Sequence, residues 1–295
     1  NNKKLLTIAV PTFNRHKYLE ICLDRIKDSF LRLNQKNQSL IEIIVSDNSI
    51  NYLSMELIKL DKYKCLNIKY IKNHENIGSD QNLANCYSLS NSKYSMLIGD
   101  DDFVEKDFFE AVIPILLLNT YKVIFLKYYG YTFSHDEKST KLKSKNIIFQ
   151  NSVEALMHRN INIGFISGMI IKRDELTEVD INEGIGTNLV QVNACFKIMS
   201  LDNPKFIYIS QNLIGAVRNN TGGYNPVHVF HTNYFLLLKK YNNLSLNNKQ
   251  LKQLKNKILY TFYTRNFAQY IRNIKKGLDD KDLKILNQSY KDNYF

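Results

Sequence analysis

Short apolar runs alternate along the first hundred positions with stretches in which apolar residues recur every third or fourth place. Leu5 to Val10 is a compact run stopped by Pro11 and reads as a buried strand. Tyr18, Leu19, Cys22, Leu23, Ile26, Phe30 and Leu33 then put one apolar face on a helix over 16–33. A polar loop over 34–39 leads to a second strand, Leu40 to Val45, which ends in the turn formers Ser46-Asp-Asn-Ser49. A helix over 52–62, a strand over 67–71, the polar loop Asn76 to Asn82, a helix over 80–91 and a fourth strand, Tyr94 to Ile98, follow. Strand and helix in alternation predict a parallel sheet covered by helices on both faces.

The second half is less regular. A helix is predicted over 104–119, kinked or broken at Pro114. A strand over 123–131 precedes a lysine-rich surface loop or hairpin over 134–146. Residues 152–159 read as a helix capped by Ser152, and 164–171 as a strand whose glycines, Gly164 and Gly168, signal a close backbone approach. A helix over 188–199 and a strand over 205–209 complete the pattern. From residue 228 the periodicity is helical and loaded with Lys, Tyr and Asn. The chain therefore divides into a domain over 1–227, with halves 1–105 and 106–227, and a helical C-terminal appendage over 228–295.

Composition narrows the classes. A hydrophobic share of 44% and a charged share of 23% describe a soluble globular protein. The apolar run Ala111 to Leu118, interrupted by Pro114, is too short to span a bilayer, and Asn1-Asn-Lys-Lys has no signal-peptide core. Cys22, Cys65, Cys86 and Cys195 form no C-x-x-C pair, so neither zinc nor disulfides are implied, as in a cytoplasmic protein. A formal net charge of +12 favours polyanions: nucleic acid, an anionic membrane face or phosphorylated substrates. No RRM, KH or zinc-finger signature is present, so nucleic acid is not an expected partner.

The candidate chemistry sits in Tyr94-Ser-Met-Leu-Ile-Gly-Asp-Asp-Asp-Phe103, where a buried strand ends in three carboxylates, Asp100, Asp101 and Asp102. Adjacent anions repel, and a hard divalent cation with oxygen ligands suits them. The alternative is an acidic loop in which Asp102 caps a helix starting near Phe103. In open parallel sheets ligands bind outside the carboxyl ends of the strands. Pro11 to Arg15, Asp47 to Ser49 and Asp100 to Asp102 all reach that edge, with the Asn76 to Asn82 loop beside them. Neither a dinucleotide fingerprint nor a Walker loop is present. These features outline a nucleotide-shaped cleft with a metal at one end.

Val10-Pro-Thr-Phe-Asn-Arg15, Ser46-Asp-Asn-Ser49, Asn76-x-Gly78 and Asp100 to Asp102 resemble, in order and spacing, the inverting glycosyltransferase family two with the GT-A fold. Asn76-x-Gly-x-Asp-x-Asn82 followed by Gly-Asp-Asp-Asp resembles its abequosyltransferase-like branch, which builds bacterial surface polysaccharides such as lipopolysaccharide and capsule. The resemblance implies a GT-A, Rossmann-like and mostly parallel sheet flanked by helices, with a nucleotide-sugar half and an acceptor half. It implies a nucleotide-diphosphate sugar donor, UDP first among the nucleotides, and a saccharide or lipid-linked oligosaccharide acceptor. Asp102 and Asp100 would hold Mn2+ or Mg2+. Pro11, Thr12 and Phe13 would border the base, Asp47 would bind base or ribose, and Arg15, Asn76, Gly78, Asn82, Asp100 and Asp101 would complete the donor site.

Two departures stand out. The segment Asn82-Leu-Ala-Asn85 lacks the arginine common in relatives, which leaves diphosphate contacts to Arg15 or Lys93. Gly184-Ile-Gly-Thr-Asn188, where relatives carry the acceptor-side base, has no acid; the nearest are Glu183 and Asp180. His228, with His231 three positions on, is a candidate further metal ligand, and Gly222-Gly223 suggests a loop closing over the donor. Lys255, Lys257, Arg265, Arg272, Lys275 and Lys276, interleaved with aromatics, suit either packing on the domain or on a second copy, or a peripheral contact with the inner membrane face. The alternative function is a catalytically degenerate GT-A protein that binds nucleotide sugar or glycan as a scaffold.

Overall fold

The computed structural model describes residues 3–131, 145–217 and 224–263, together with 284, 285 and 288. The expected loop over 134–146 falls almost wholly outside the described residues, as do Gly222-Gly223 and the basic positions Arg265, Arg272, Lys275 and Lys276.

The first half follows the alternation in the sequence. Strands β1 (Leu6–Thr12), β2 (Ile41–Asp47), β3 (Ile68–Lys72) and β4 (Tyr94–Leu97) are joined through helices α1 (His16–Phe30), α2 (Gln35–Gln38), α3 (Leu53–Ile58) and α4 (Ser79–Leu89). These strands pair in parallel in the order β3-β2-β1-β4. The expected loop over 34–39 contains α2, a single turn capped by the Asn34 side chain. Alternate side chains along each strand enter opposite cores. Ala9, Ile44 and Leu97 pack on one face with Ala84 and Phe196. Ile8, Val10, Ile43, Val45 and Met96 pack on the other with Leu19, Leu23 and Ile26. Burial on both faces is why β1, β2 and β4 read as near-continuous apolar runs, while β3, at the sheet edge, is only partly buried.

The sheet continues through β8 (Met169–Ile171), antiparallel to both β4 and β6 (Val123–Tyr131), and then β9 (Phe206–Val217), parallel to β6. β5 (Phe103–Val104) and β7 (Ile147–Phe149) pair antiparallel with opposite ends of β9. Helices α5 (Phe108–Leu117), α6 (Ser152–Arg159), α7 (Glu178–Asn182) and α8 (Val190–Met199) cover the faces.

Several local expectations change. Phe103 begins a strand, not a helix, so Asp102 is not a helix cap; the ring of Phe103 lies over Gly215, where a Cβ would come within 2.3 Å of it. Helix α5 starts at Phe108 and runs through Pro114 to Leu117 without breaking. Asn151, not Ser152, caps α6, its side chain accepting from Glu154 N at 3.0 Å, while the Ser152 hydroxyl donates to Met199 O at 2.5 Å. Only Met169–Ile171 of the expected 164–171 strand is extended; residues 160–168 wind as tight turns. Gly164 nonetheless meets a close neighbour, since a Cβ there would come within 2.8 Å of the Phe230 ring. Beyond 227, a wide turn over His228–Asn233 leads into α9 (Tyr234–Lys240) and α10 (Asn248–Ile258). Val229, Tyr234, Leu237, Leu238, Leu254 and Ile258 enter the same core as α8.

Candidate functional site

Parallel register carries Thr12, Asp47 and Lys72 to the carboxyl edge side by side, Thr12 opposite Asp47 and Asp47 opposite Lys72. Beyond β4 the chain turns at Gly99, with Asp102 N donating to Gly99 O at 3.0 Å. A side chain at Gly99 would crowd the carboxylates: its Cβ would lie 3.0 Å from Asp101 Oδ1 and 3.3 Å from Asp102 Oδ2.

The three acids have different partners. Asp100 Oδ2 accepts from Thr12 Oγ1 at 2.7 Å. Arg15 Nη1 bridges Asp100 Oδ1 at 3.3 Å and Asp101 Oδ2 at 2.9 Å. Tyr131 OH donates to the Asp101 carbonyl at 2.7 Å. Asp102 receives only neutral donors, Ser167 Oγ at 2.5 Å and Val217 N at 3.2 Å, and no cation pairs with it among the described residues. Burial pushes the Asp100 carboxyl up to about 6 against the pull of Thr12 and Arg15. It pushes Asp102 up to about 7 against the Ser167 hydrogen bond, with Asp101 and Asp100 adding repulsion.

A divalent cation fits this donor set. Asp102 is a buried carboxylate with no counter-charge among the described residues, beside a second one, and both are oxygen ligands. No group of three His, Cys, Asp or Glu side chains is disposed to hold a metal among the described residues. Two carboxylates completed by substrate phosphates are, however, the usual surroundings of Mg2+.

Asp47 is fully buried. Its Oδ1 accepts from Ser49 N at 2.7 Å and its Oδ2 from Tyr70 OH at 2.7 Å, with Lys72 Nζ 3.6 Å away. Around it runs a network of neutral amides. Asn48 donates to Asn76 Oδ1 at 3.1 Å and to Gly78 O at 3.1 Å, and Asn73 donates to Asn48 Oδ1 at 2.8 Å. Asn82 is buried and closed on Ser46, accepting from its hydroxyl at 2.6 Å and donating to its carbonyl at 3.2 Å. Gly78, at φ +85°, makes the turn into α4. Pro11 lies opposite Ser46 in the sheet, and Phe13, just beyond, is 42% exposed. Arg15 therefore stands at the acids, whereas Lys93 precedes β4 and belongs to the strand's other end.

The acceptor-side acids are not free. Asp180 closes a capping box, its Oδ2 accepting from Thr177 N at 2.9 Å, while Lys197 Nζ sits 2.9 Å from its Oδ1. Burial alone would raise its pKa; Lys197 and Thr177 hold it below the usual value instead. Glu183 ends α7 and pairs with Lys240 Nζ at 2.7 Å. His228 and His231 do not share an environment: His228 is exposed, and His231 is buried against Phe235 and pushed down to about 4 by burial and Lys255.

Sequence reasoning passed over Ser167 and Tyr131, and it placed Asp80 in a motif without giving it a role. Ser167 and Tyr131 come from segments that only the fold brings to the acids, so no local signal marks them. Asp80 is one polar position in the Asn76 to Asn82 loop, yet it reaches the backbone of Gly186 and Asn188, where a base was sought.

The family model for glycosyl transferase family 2 matches residues 7–178. Among curated proteins, abequosyltransferase RfbV of Salmonella typhimurium is 27% identical over 235 residues, which is 71% of this chain. The matched stretch spans 66% of that relative's length. Among solved structures, S. aureus TarS 1-349 in complex with UDP-GlcNAc is similar with a TM-score of 0.67 at 13% identity, over 98% of this chain and 80% of that one. Mannosyltransferase PcManGT from Pyrobaculum calidifontis, in complex with GDP-Man and Mn2+, is similar with a TM-score of 0.50 at 13% identity, over 98% of this chain and 85% of that one. The fold is GT-A, a mostly parallel sheet flanked by helices.

Proposed function

This chain belongs to glycosyl transferase family 2, and on that premise we propose that it transfers one sugar, with inversion, from a nucleotide-diphosphate sugar to a saccharide acceptor in bacterial surface-polysaccharide synthesis. The observation that carries the reading is the run Asp100 to Asp102 at the carboxyl edge, next to Thr12 and Arg15, with Asp102 buried and without a cationic partner among the described residues.

Asp102 and Asp100 would hold Mn2+ or Mg2+, which when bound neutralises the charge growing on the departing diphosphate. Thr12 and Arg15 fix the Asp100 carboxylate, and Ser167 fixes Asp102. Phe13 offers an exposed ring for the base to stack on. Asp47 acts from beneath, since its oxygens hold Ser49 and Tyr70 and so shape the floor on which base and ribose rest. A solved relative in complex with UDP-GlcNAc supports a UDP donor.

The reading puts the reaction in the cytoplasm. No helix among the described residues is long and apolar enough to cross a membrane. On α10 two of the lysines turn back onto the domain: Lys257 donates to Met157 O at 2.9 Å, and Lys255 lies over the Phe235 ring.

A catalytically degenerate scaffold is the second reading, favoured by the ion pairs that occupy Asp180 and Glu183. Nucleotide release from UDP-, CDP-, GDP- and dTDP-sugars with Mn2+ or Mg2+ separates the two. The transferase reading expects metal-dependent release that Asp102→Ala abolishes. Binding without turnover across donors and acceptors would favour the scaffold, and full activity in Asp102→Ala or in chelator would remove the metal from the account.

A further inference from the structure

Arg15 meets the acid cluster from its solvent side. It immediately precedes α1, and its side chain is 40% exposed, whereas the two carboxylates it touches are buried. Its Nη1 holds the two unequally, Asp101 Oδ2 at 2.9 Å and Asp100 Oδ1 at 3.3 Å. Asp100 has a second holder, Thr12 Oγ1 at 2.7 Å from Oδ2, so this carboxylate keeps its place without the arginine. Nη1 is the one nitrogen of Arg15 that hydrogen-bonds among the described residues, which leaves Nε and Nη2 with donors to give. Other positive charge at this edge is committed or missing. Lys72 lies 3.6 Å from Asp47 Oδ2 and donates to Ser49 O and Asn51 O. Helix α4, which starts at the same edge, has no Lys or Arg.

Of the two Asp100 oxygens, Oδ1 has the weaker hold on it and is the one open to a divalent cation shared with Asp102. A guanidinium and a divalent cation on the same carboxylate repel, so Arg15 as it stands competes with the metal. A diphosphate reverses that preference. It adds negative charge to three carboxylates, more than one divalent cation balances, and its oxygens suit the planar fork of a guanidinium. We propose that Arg15 couples the cation to the nucleotide. Against a divalent cation alone it competes for Asp100. When cation and nucleoside diphosphate arrive together, it yields Asp100 Oδ1, keeps Asp101 as its anchor and gives Nε and Nη2 to the diphosphate. A site with this arrangement takes up the metal–nucleotide pair and holds either member alone less tightly.

The inference rests on the transferase reading, and the test keeps the two apart. Wild type, Arg15→Gln and Arg15→Lys, each shown to be folded by its melting curve, are compared in two titrations. Mn2+ is titrated alone and followed by the electron paramagnetic resonance of the free ion. UDP, CDP, GDP and dTDP are titrated by calorimetry in saturating Mn2+. Removing the charge should move the two affinities in opposite directions. In Arg15→Gln, Mn2+ alone should bind about 5-fold tighter or more, and the nucleotide that wild type binds best should bind about 5- to 100-fold more weakly, the ordinary span of coupling between two sites. Lysine keeps the charge without the fork, so Arg15→Lys should bind Mn2+ alone as wild type does and recover only part of the nucleotide affinity. Mn2+ binding that is unchanged or weaker in Arg15→Gln would make Arg15 a brace for the carboxylates and overturn the inference. Unchanged nucleotide affinity in that variant would overturn it too. A wild type that binds none of the four nucleotides with Mn2+ would instead overturn the donor-site reading, and this inference with it.

Discussion

In the metal-free protein, Asp102→Asn should stabilise the fold. Burial lifts the Asp102 carboxyl from its usual 3.8 to about 7. Between those pH values the folded state holds a proton that the unfolded state has lost, so stability falls as pH rises through the window. Above about pH 7 the full penalty is present, and the separation of the two values corresponds to about 4 kcal/mol. Asparagine removes that charge. It keeps one acceptor but turns an amide N–H₂ toward one of the two donors, Ser167 Oγ or Val217 N, which returns about 1–2 kcal/mol. The net gain is then about 2–3 kcal/mol, and at about 2 °C per kcal/mol for a chain of this size the melting point rises about 4–6 °C. Calorimetric melts of both proteins in EDTA at pH 8 measure it directly. The gain should shrink on acidification and be gone by about pH 4, where wild-type Asp102 is protonated when folded. A variant that melts at or below wild type at pH 8 would refute the claim that Asp102 is an uncompensated buried charge.

Three further substitutions probe the surroundings. Gly215→Ala forces a Cβ to within 2.3 Å of the Phe103 ring and should cost about 1–3 kcal/mol in urea unfolding; an unchanged midpoint would contradict the β5–β9 packing. Ser167→Ala strips Asp102 of its 2.5 Å donor and Gly99 N of its acceptor, so a loss of about 1–3 kcal/mol is expected at pH 8, smaller at pH 4. Arg15→Ala removes the bridge between Asp100 and Asp101; because the arginine side chain is 40% exposed, the loss at pH 7 should be about 1 kcal/mol or less, and the melting difference should fade at low pH.

How far the sequence reveals the fold depends on what shapes each element. Strands β1, β2 and β4 were readable because burial on both faces makes them near-continuous apolar runs, whereas β3, at the sheet edge and only partly buried, reads as a strand from its alternating Ile, Tyr and Lys. Phe103 and Val104 were not, since a strand of two residues exists only through its pairing with Ile214 and Gly215. The far half of β9 was hidden by Ser210-Gln-Asn212, polar positions that break an apolar pattern without ending the strand. At the site, the meeting of Thr12 and Arg15 with the three acids follows from parallel register, which motif order anticipates. The commitment of Asp180 did carry a local signal, because Thr177-x-x-Asp180 is the spacing of a capping box. Its pairing with Lys197 carried none, and neither did the reach of Asp80 to Gly186 and Asn188, a contact across more than a hundred positions.

The central claim is that Asp100 to Asp102 form the cation end of a nucleoside-diphosphate site. Titration calorimetry of UDP into the protein, with Mn2+ and then with EDTA, tests it most directly when repeated with Asp102→Asn. The account predicts saturable binding that requires Mn2+ and is lost in Asp102→Asn while that variant remains folded by its own melting curve. Binding of equal strength in EDTA, or in Asp102→Asn with Mn2+, would contradict it.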